Sequence, residues 1–199
     1  MLKSLVSSFV AAAAVLTLSQ SAQAEQSPVV LMAMPAINSA VVQAQAGTLG
    51  LKWKVGDTAD YSMSAGFISG TIHSFVRDDN GTEIWVQQDM DLGFAGKQKI
   101  EILFDKATGQ VKKLLADGKE QTLPDASNME VVEQKEDTVT VPAGTFQAIY
   151  VKIKNKDDGK MQEAWINPKE VPINGMLKVL ADSQLGQVKQ ELTSKTFAP

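Results

Sequence analysis

Few residues in this chain are equipped for covalent or metal chemistry. The 199 residues hold one histidine, His73 within SGTIHSFV, and no cysteine. A His-based metal site needs further nitrogen or carboxylate ligands in a cluster, and a Ser/His nucleophile pair needs a matched partner; spacing shows neither. By strand alternation His73 shares a side with Thr71 and Phe75, which predicts a partly buried sheet histidine. Carboxylates are more abundant but gather at turns, as in Asp78-Asp79, Glu136-Asp137 and Asp157-Asp158. Turn aspartates are expected there because they bond to nearby backbone. DDNGTE and DKATGQ resemble fragments of calcium loops, yet lack the Asp-x-Asp-x-Asp-Gly spacing with a distant Glu. No phosphate loop, GxSxG elbow or dinucleotide fingerprint is present. The reading is of no catalytic residue, no metal site and no cofactor.

Aromatic residues are the better candidates for a site. Trp53, Tyr61, Phe75, Trp85, Phe104, Phe146, Tyr150 and Trp165 recur along strand-like runs. Together they fit a curved sheet with a large apolar face, which can be either a filled core or the wall of a ligand cavity.

The elements that would carry them are strands. Asn80-Gly81 within DDNG is a strong hairpin signal, because both central residues of a type I′ turn need positive φ. Asp105–Gly109 and Asp157–Gly159 repeat the device, and Asp117-Gly118 reads as another turn. Between them, Gln98, Ile100, Ile102 and Phe104 share one side of a strand, as do Ile84, Val86, Met90 and Leu92. Such one-sided strands form an antiparallel sheet with one wet face. Residues 145–153 are apolar on both sides, which calls for a cover on the second, with residues 25–50 as the candidate. LPDASNMEVVEQ is read as holding a short helical turn capped by Asp125 or Ser127. WINPKEVPINGMLKV reads as a strand-to-strand corner built on two prolines and Asn174-Gly175. The expected fold is mainly β: one strongly curved antiparallel sheet, an incomplete barrel, with one or two short helices.

Residues 1–24 have the layout of a secretory signal peptide, with Lys3, an apolar stretch from Leu5 to Leu18 and Ala22-Gln23-Ala24 before the cleavage point. Removal leaves 175 residues, about one domain. Residues 25–50 form an apolar segment, a linker or short helix, and 51–199 the β domain. No later stretch is long enough to span a bilayer as a helix. The net charge of −4 argues against nucleic-acid binding. The short Ala-rich signal and the lack of cysteine point to Sec export into a Gram-negative periplasm, with the extracellular space as the alternative.

VTVPAGTFQAIYVKIK followed by GKMQEAWINPKEVPINGMLKV resembles a pattern of small bacterial envelope proteins, in which a V-P-A-G-T-F turn leads into a strand, a hairpin and a W-x-x-P. Upstream, KWKVGDTADYSM resembles their W-x-x-G-D-x-x-x-Y opening. That architecture is similar to the lipoprotein-localisation-factor (LolA/LolB-like) superfamily, where a curled sheet surrounds an apolar cavity. The resemblance implies binding of a lipid, an acyl chain or an apolar protein segment, and no catalytic residues. The other partner reading is an envelope protein engaged through a sheet edge or the apolar N-terminal segment.

Overall fold

The computed structural model describes residues 50–123, 129–183 and 186–199. They form one antiparallel sheet of eleven strands: β1 (Thr58–Ala65), β2 (Ile68–Asp79), β3 (Glu83–Asp91), β4 (Lys97–Asp105), β5 (Val111–Ala116), β6 (Lys119–Glu120), β7 (Met129–Val141), β8 (Gly144–Asn155), β9 (Met161–Ile166), β10 (Met176–Ser183) and β11 (Gly186–Thr196). Their spatial order is β6-β5-β4-β3-β2-β1-β11-β10-β9-β8-β7, so β6 and β7 are edges and the sheet stays open. Two hairpin meanders, one from each half of the chain, meet at the β1–β11 ladder. The hairpin signals at Asn80-Gly81, Asp105–Gly109, Asp117-Gly118 and Asp157–Gly159 each fall between paired strands.

Register shifts interrupt five ladders, at Asp60/Tyr61, Val76/Asp78, Leu103/Phe104, Val131/Glu133 and Met176/Lys178. Bulges of this kind increase local twist and bend the strand that carries them. The sheet has a buried inner face, where Tyr61, Ile72, Val86, Ile100, Val179 and Leu192 pack, and a more exposed outer face that carries charged residues together with Phe75 and Trp85.

Three expectations are corrected. Helix is limited, among the described residues, to a 3-10 turn at Gly93–Ala95. From Met129 onward the stretch read as helical is the start of β7, while residues 124–128 lie outside the described set. Val131 and Val132 favour extended backbone, and pairing to β8 satisfies it. His73 is half exposed rather than partly buried, because its side of β2 is the outer one. Finally, β8 is not buried on both sides throughout. Burial changes side along it, from Phe146, Ala148 and Tyr150 to Val151 and Ile153, while Ile149 stays 42% exposed. The segment expected to cover it, up to residue 49, lies outside the described residues.

Candidate functional site

The loop between β9 and β10, residues 167–175, is the feature around which a site can be built. Lys169 and Glu170 are exposed as its sequence suggests, but Val171, Pro172, Ile173, Asn174 and Gly175 are all buried. The corner turns inward, against the inner face. Asn167 starts it, its side-chain oxygen accepting from the backbone N–H of Lys169 and Glu170 at 3.0 and 3.1 Å. Asn174 ends it, its Oδ1 accepting from Met176 N–H at 3.1 Å and from the Tyr61 hydroxyl at 3.4 Å. Ile173 holds φ at 63°, a left-handed conformation that disfavours β-branched residues. Burial of its side chain, 3% exposed, keeps it there.

Beside this loop opens a pocket of about 470 Å³, walled by Leu51, Trp53, Pro168, Pro172 and Phe197, with Lys52, Lys54 and Lys169 at its rim. That volume falls within the range of roughly 300–1,000 Å³ usual for small-molecule sites. Asp57 forms part of its lining. Its carboxylate is held by backbone N–H groups of Lys54 (2.9 Å) and Ala198 (2.8 Å). Trp53 is shared between pocket and core, meeting Phe104 edge-on at 5.3 Å. A second depression, about 410 Å³, lies on the other side of Pro168 and Lys169, against Glu136, Ile149 and Ile166.

The eight aromatic candidates do not converge on one cavity. Trp53, Tyr61 and Phe104 belong to the inner side and pack in the core. Burial pushes the Tyr61 hydroxyl well above its ordinary pKa, with Asp60 adding to the effect. Phe75 and Trp85 lie on the outer face, Phe75 against His73 at 5.2 Å and Trp85 under the Arg77 guanidinium at 4.9 Å. Tyr150 and Trp165 contact one another at 5.0 Å beneath Lys135 and Lys178. Trp165 also donates from Nε1 to Asp137 Oδ2 at 2.8 Å, a bond that leads in holding that carboxyl below its usual range. Phe146 sits near the tip of the β7–β8 hairpin under Lys195 Nζ, where Ala143 N–H reaches the Leu192 carbonyl of β11.

One trio has the residue types of a catalytic relay. Ser194 Oγ donates to Asp60 Oδ2 and His73 Nδ1 meets Asp60 Oδ1, both at 2.5 Å. Asp60 stands between the other two, so no imidazole faces the hydroxyl as an acyl-transfer relay requires. Burial raises the Asp60 pKa, but the bonds from Ser194 and His73 outweigh it and hold the carboxyl below its usual range. Among the described residues no group of three or more His, Asp or Glu side chains is placed to hold a metal.

Sequence reasoning missed two features. One is the inward turn of Val171–Gly175, whose only signal was the apolar run VPINGML. The other is the burial of Ser74 and Gln88, which join Gln98 as polar residues in the apolar phase of their strands on the inner face.

No protein-family model matches the sequence, and no curated protein matches it. Among solved structures, the chain is similar to the hypothetical protein CT021 from Chlamydia trachomatis, with 11% identity and a TM-score of 0.50 over 78% of this chain and 92% of that one. It is similar also to MucB of the Pseudomonas aeruginosa MucA/MucB complex, at 13% identity and a TM-score of 0.49 over 82% of this chain. The match covers 57% of that chain, so this protein spans little more than half its length. A domain described as an outer membrane lipoprotein-sorting protein, from Vibrio parahaemolyticus, aligns at 9% identity and a TM-score of 0.30, over 82% of this chain and 93% of that one. At these identities the likeness is one of fold. No helix among the described residues is long and apolar enough to cross a membrane.

Proposed function

We propose that this is a non-enzymatic periplasmic binding or carrier protein. It holds a hydrophobic ligand, whether lipid, acyl chain or apolar protein segment, against the inner face of the sheet beside the 167–175 loop. One observation carries the reading: the fold already holds an apolar peptide there, with Val171 at 0% and Ile173 at 3% exposure, next to an open apolar pocket. Of the aromatic set, Trp53 lines the pocket, while Tyr61 and Phe104 pack in the core behind it. The signal-peptide layout with cleavage after Ala24 supports Sec export. Native mass spectrometry of protein released gently from the periplasm tests it, and a co-purifying lipid mass is the expected result. Ligand-free protein that resists loading, yet captures a stable protein partner, overturns it.

That outcome would favour a second reading, an interaction module acting through β7. This edge runs for 13 residues, with Val131 and Val132 exposed at 57% and 45%. A partner strand added there would gain main-chain hydrogen bonds along its length.

A further inference from the structure

The open edge at β7 has two faces of different chemistry. Pairing with β8 sets Val131 opposite Ile153 and Glu136 opposite Ile149 on the inner side. On the outer side it sets Glu130 opposite Lys154, Glu133 opposite Lys152 and Asp137 opposite Ala148. Val132, between them, has no partner on β8 and forms the bulge. Residues 130–136 are all exposed, and no described strand lies beyond them. Along β7 four carboxylates, Glu130, Glu133, Glu136 and Asp137, stand against Lys135 alone, a net charge of −3. Nearby cations have other partners: Lys135 meets Glu133 at 2.8 Å, and Lys152 meets Glu163 of β9 at 3.2 Å. The inner side adds a hollow. The depression of about 410 Å³ begins at this edge, with Glu136 in its wall, and crosses Ile149 of β8 and Ile166 of β9 to reach Pro168. Ile149, in its lining, is 42% exposed.

An edge strand offers backbone N–H and C=O groups to any extended chain, and the charge along it selects which chains can pair. Resting on the interaction reading of β7 above, and independent of the carrier reading, we infer that this edge receives an extended basic peptide segment as an added strand. Its lysines or arginines meet Glu130, Glu133 and Asp137 on the outer side. Its apolar residues, which alternate with them, lie beside Val131 and the hollow at Ile149 on the inner side. The charge also decides against two other occupants. A second copy would bring another acidic strand to the first, and like charges on facing strands are destabilising. The chain's own residues 26–50 carry no charge, so they offer nothing to the acidic row.

The test titrates the purified protein with three short peptides, in which lysine alternates with valine, glutamate with valine, and lysine with proline. The first has the fitting charge and can extend as a strand. The second reverses the charge, and the third keeps it but lacks every second backbone donor. Calorimetry is expected to show the lysine–valine peptide binding about tenfold more tightly than the others, the scale that a few exposed ion pairs set. Its affinity should fall as salt rises. Hydrogen exchange should then slow at backbone amides within 129–141 and stay unchanged at β6. Glu130→Gln combined with Glu133→Gln, both at exposed positions, should weaken that peptide about fivefold with little change in melting temperature. Ile149→Ser should weaken it too, by removing apolar lining from the hollow. Equal binding of the glutamate–valine peptide, with β7 protected, overturns the basic partner and leaves the interaction reading of β7 standing. Equal binding of the lysine–proline peptide overturns strand addition. A protein already dimeric in sedimentation, with β7 protected before any peptide is added, gives the edge to a second copy and overturns the proposal. No protection of β7 by any peptide overturns both the proposal and the interaction reading.

Discussion

The Tyr61 hydroxyl donates to Asn174 Oδ1 at 3.4 Å inside the protein, tying the central strand β1 to a loop 113 residues further along the chain. This contact joins the floor of the inner face to the segment that covers it. Tyr61→Phe removes the donor while Asn174 keeps its bond to Met176 N–H, so the expected loss is about 1 kcal/mol. Asn174→Leu strands the Tyr61 hydroxyl and the Met176 amide together, and should cost more, about 2–3 kcal/mol. Thermal melts of the two variants should differ in that order; equal losses would mean that the contact contributes nothing specific.

Ile173 sets backbone strain against burial. Ile173→Gly relieves a left-handed conformation worth roughly 1–2 kcal/mol, but deletes a buried side chain worth roughly 2–5 kcal/mol. The second effect is larger, so the variant should be destabilised by about 1–3 kcal/mol, read from the urea midpoint. A gain in stability would show that the loop is held in place by less packing than its burial suggests.

The Asp60 cluster sets an acid dependence. Its carboxyl titrates below the ordinary 3.8 in the folded protein, so its contribution is fully present above that value. It disappears as pH falls through the lower folded value, because the unfolded chain then binds the proton more readily. Asp60→Asn should therefore flatten the fall of the urea midpoint below pH 3.8 relative to wild type. With the carboxylate about a third exposed, the effect should be modest and reduced by salt.

Gly70 has a steric rather than a conformational requirement. A Cβ there would lie 2.2 Å from the Asp91 carbonyl oxygen and 2.9 Å from Leu92 Cα, both backbone atoms. Gly70→Ala must push the end of β3 away from β2, and is expected to cost about 2–3 kcal/mol by thermal or chemical denaturation. Gly81 and Gly118, which have open space around them, should cost less on the same change, through their positive φ alone.

Much of the sheet was legible because strand alternation is local. Gln98, Ile100, Ile102 and Phe104 could be assigned to one face from spacing, and Asn80-Gly81 marked its hairpin through backbone preference. The 167–175 loop was half legible. Its turn chemistry was visible, but the direction of the turn depends on Tyr61, far away in sequence, and no local pattern encodes that. His73 was placed on the correct side of β2 relative to Phe75, but which side is wet depends on how the sheet curls. The buried polar group of Ser74, Gln88 and Gln98 went unread for a related reason. Gln98 was seen in phase with its apolar neighbours, whereas its nearness to Ser74 and Gln88 exists only once three strands are in register.

The β1–β11 ladder gives the molecule an unusual division of labour during folding. Each meander pairs neighbours in sequence, so its loops are short and quick to close. Joining them requires Thr58 to find Thr196 and Ala65 to find Val188, across most of the chain. Among the described strands this is the one ladder of long sequence separation, and it lies in the middle of the sheet. Folding speed should thus be governed by a single late encounter between two half-sheets, and changes along β1 or β11 should slow folding more than equal changes near either edge.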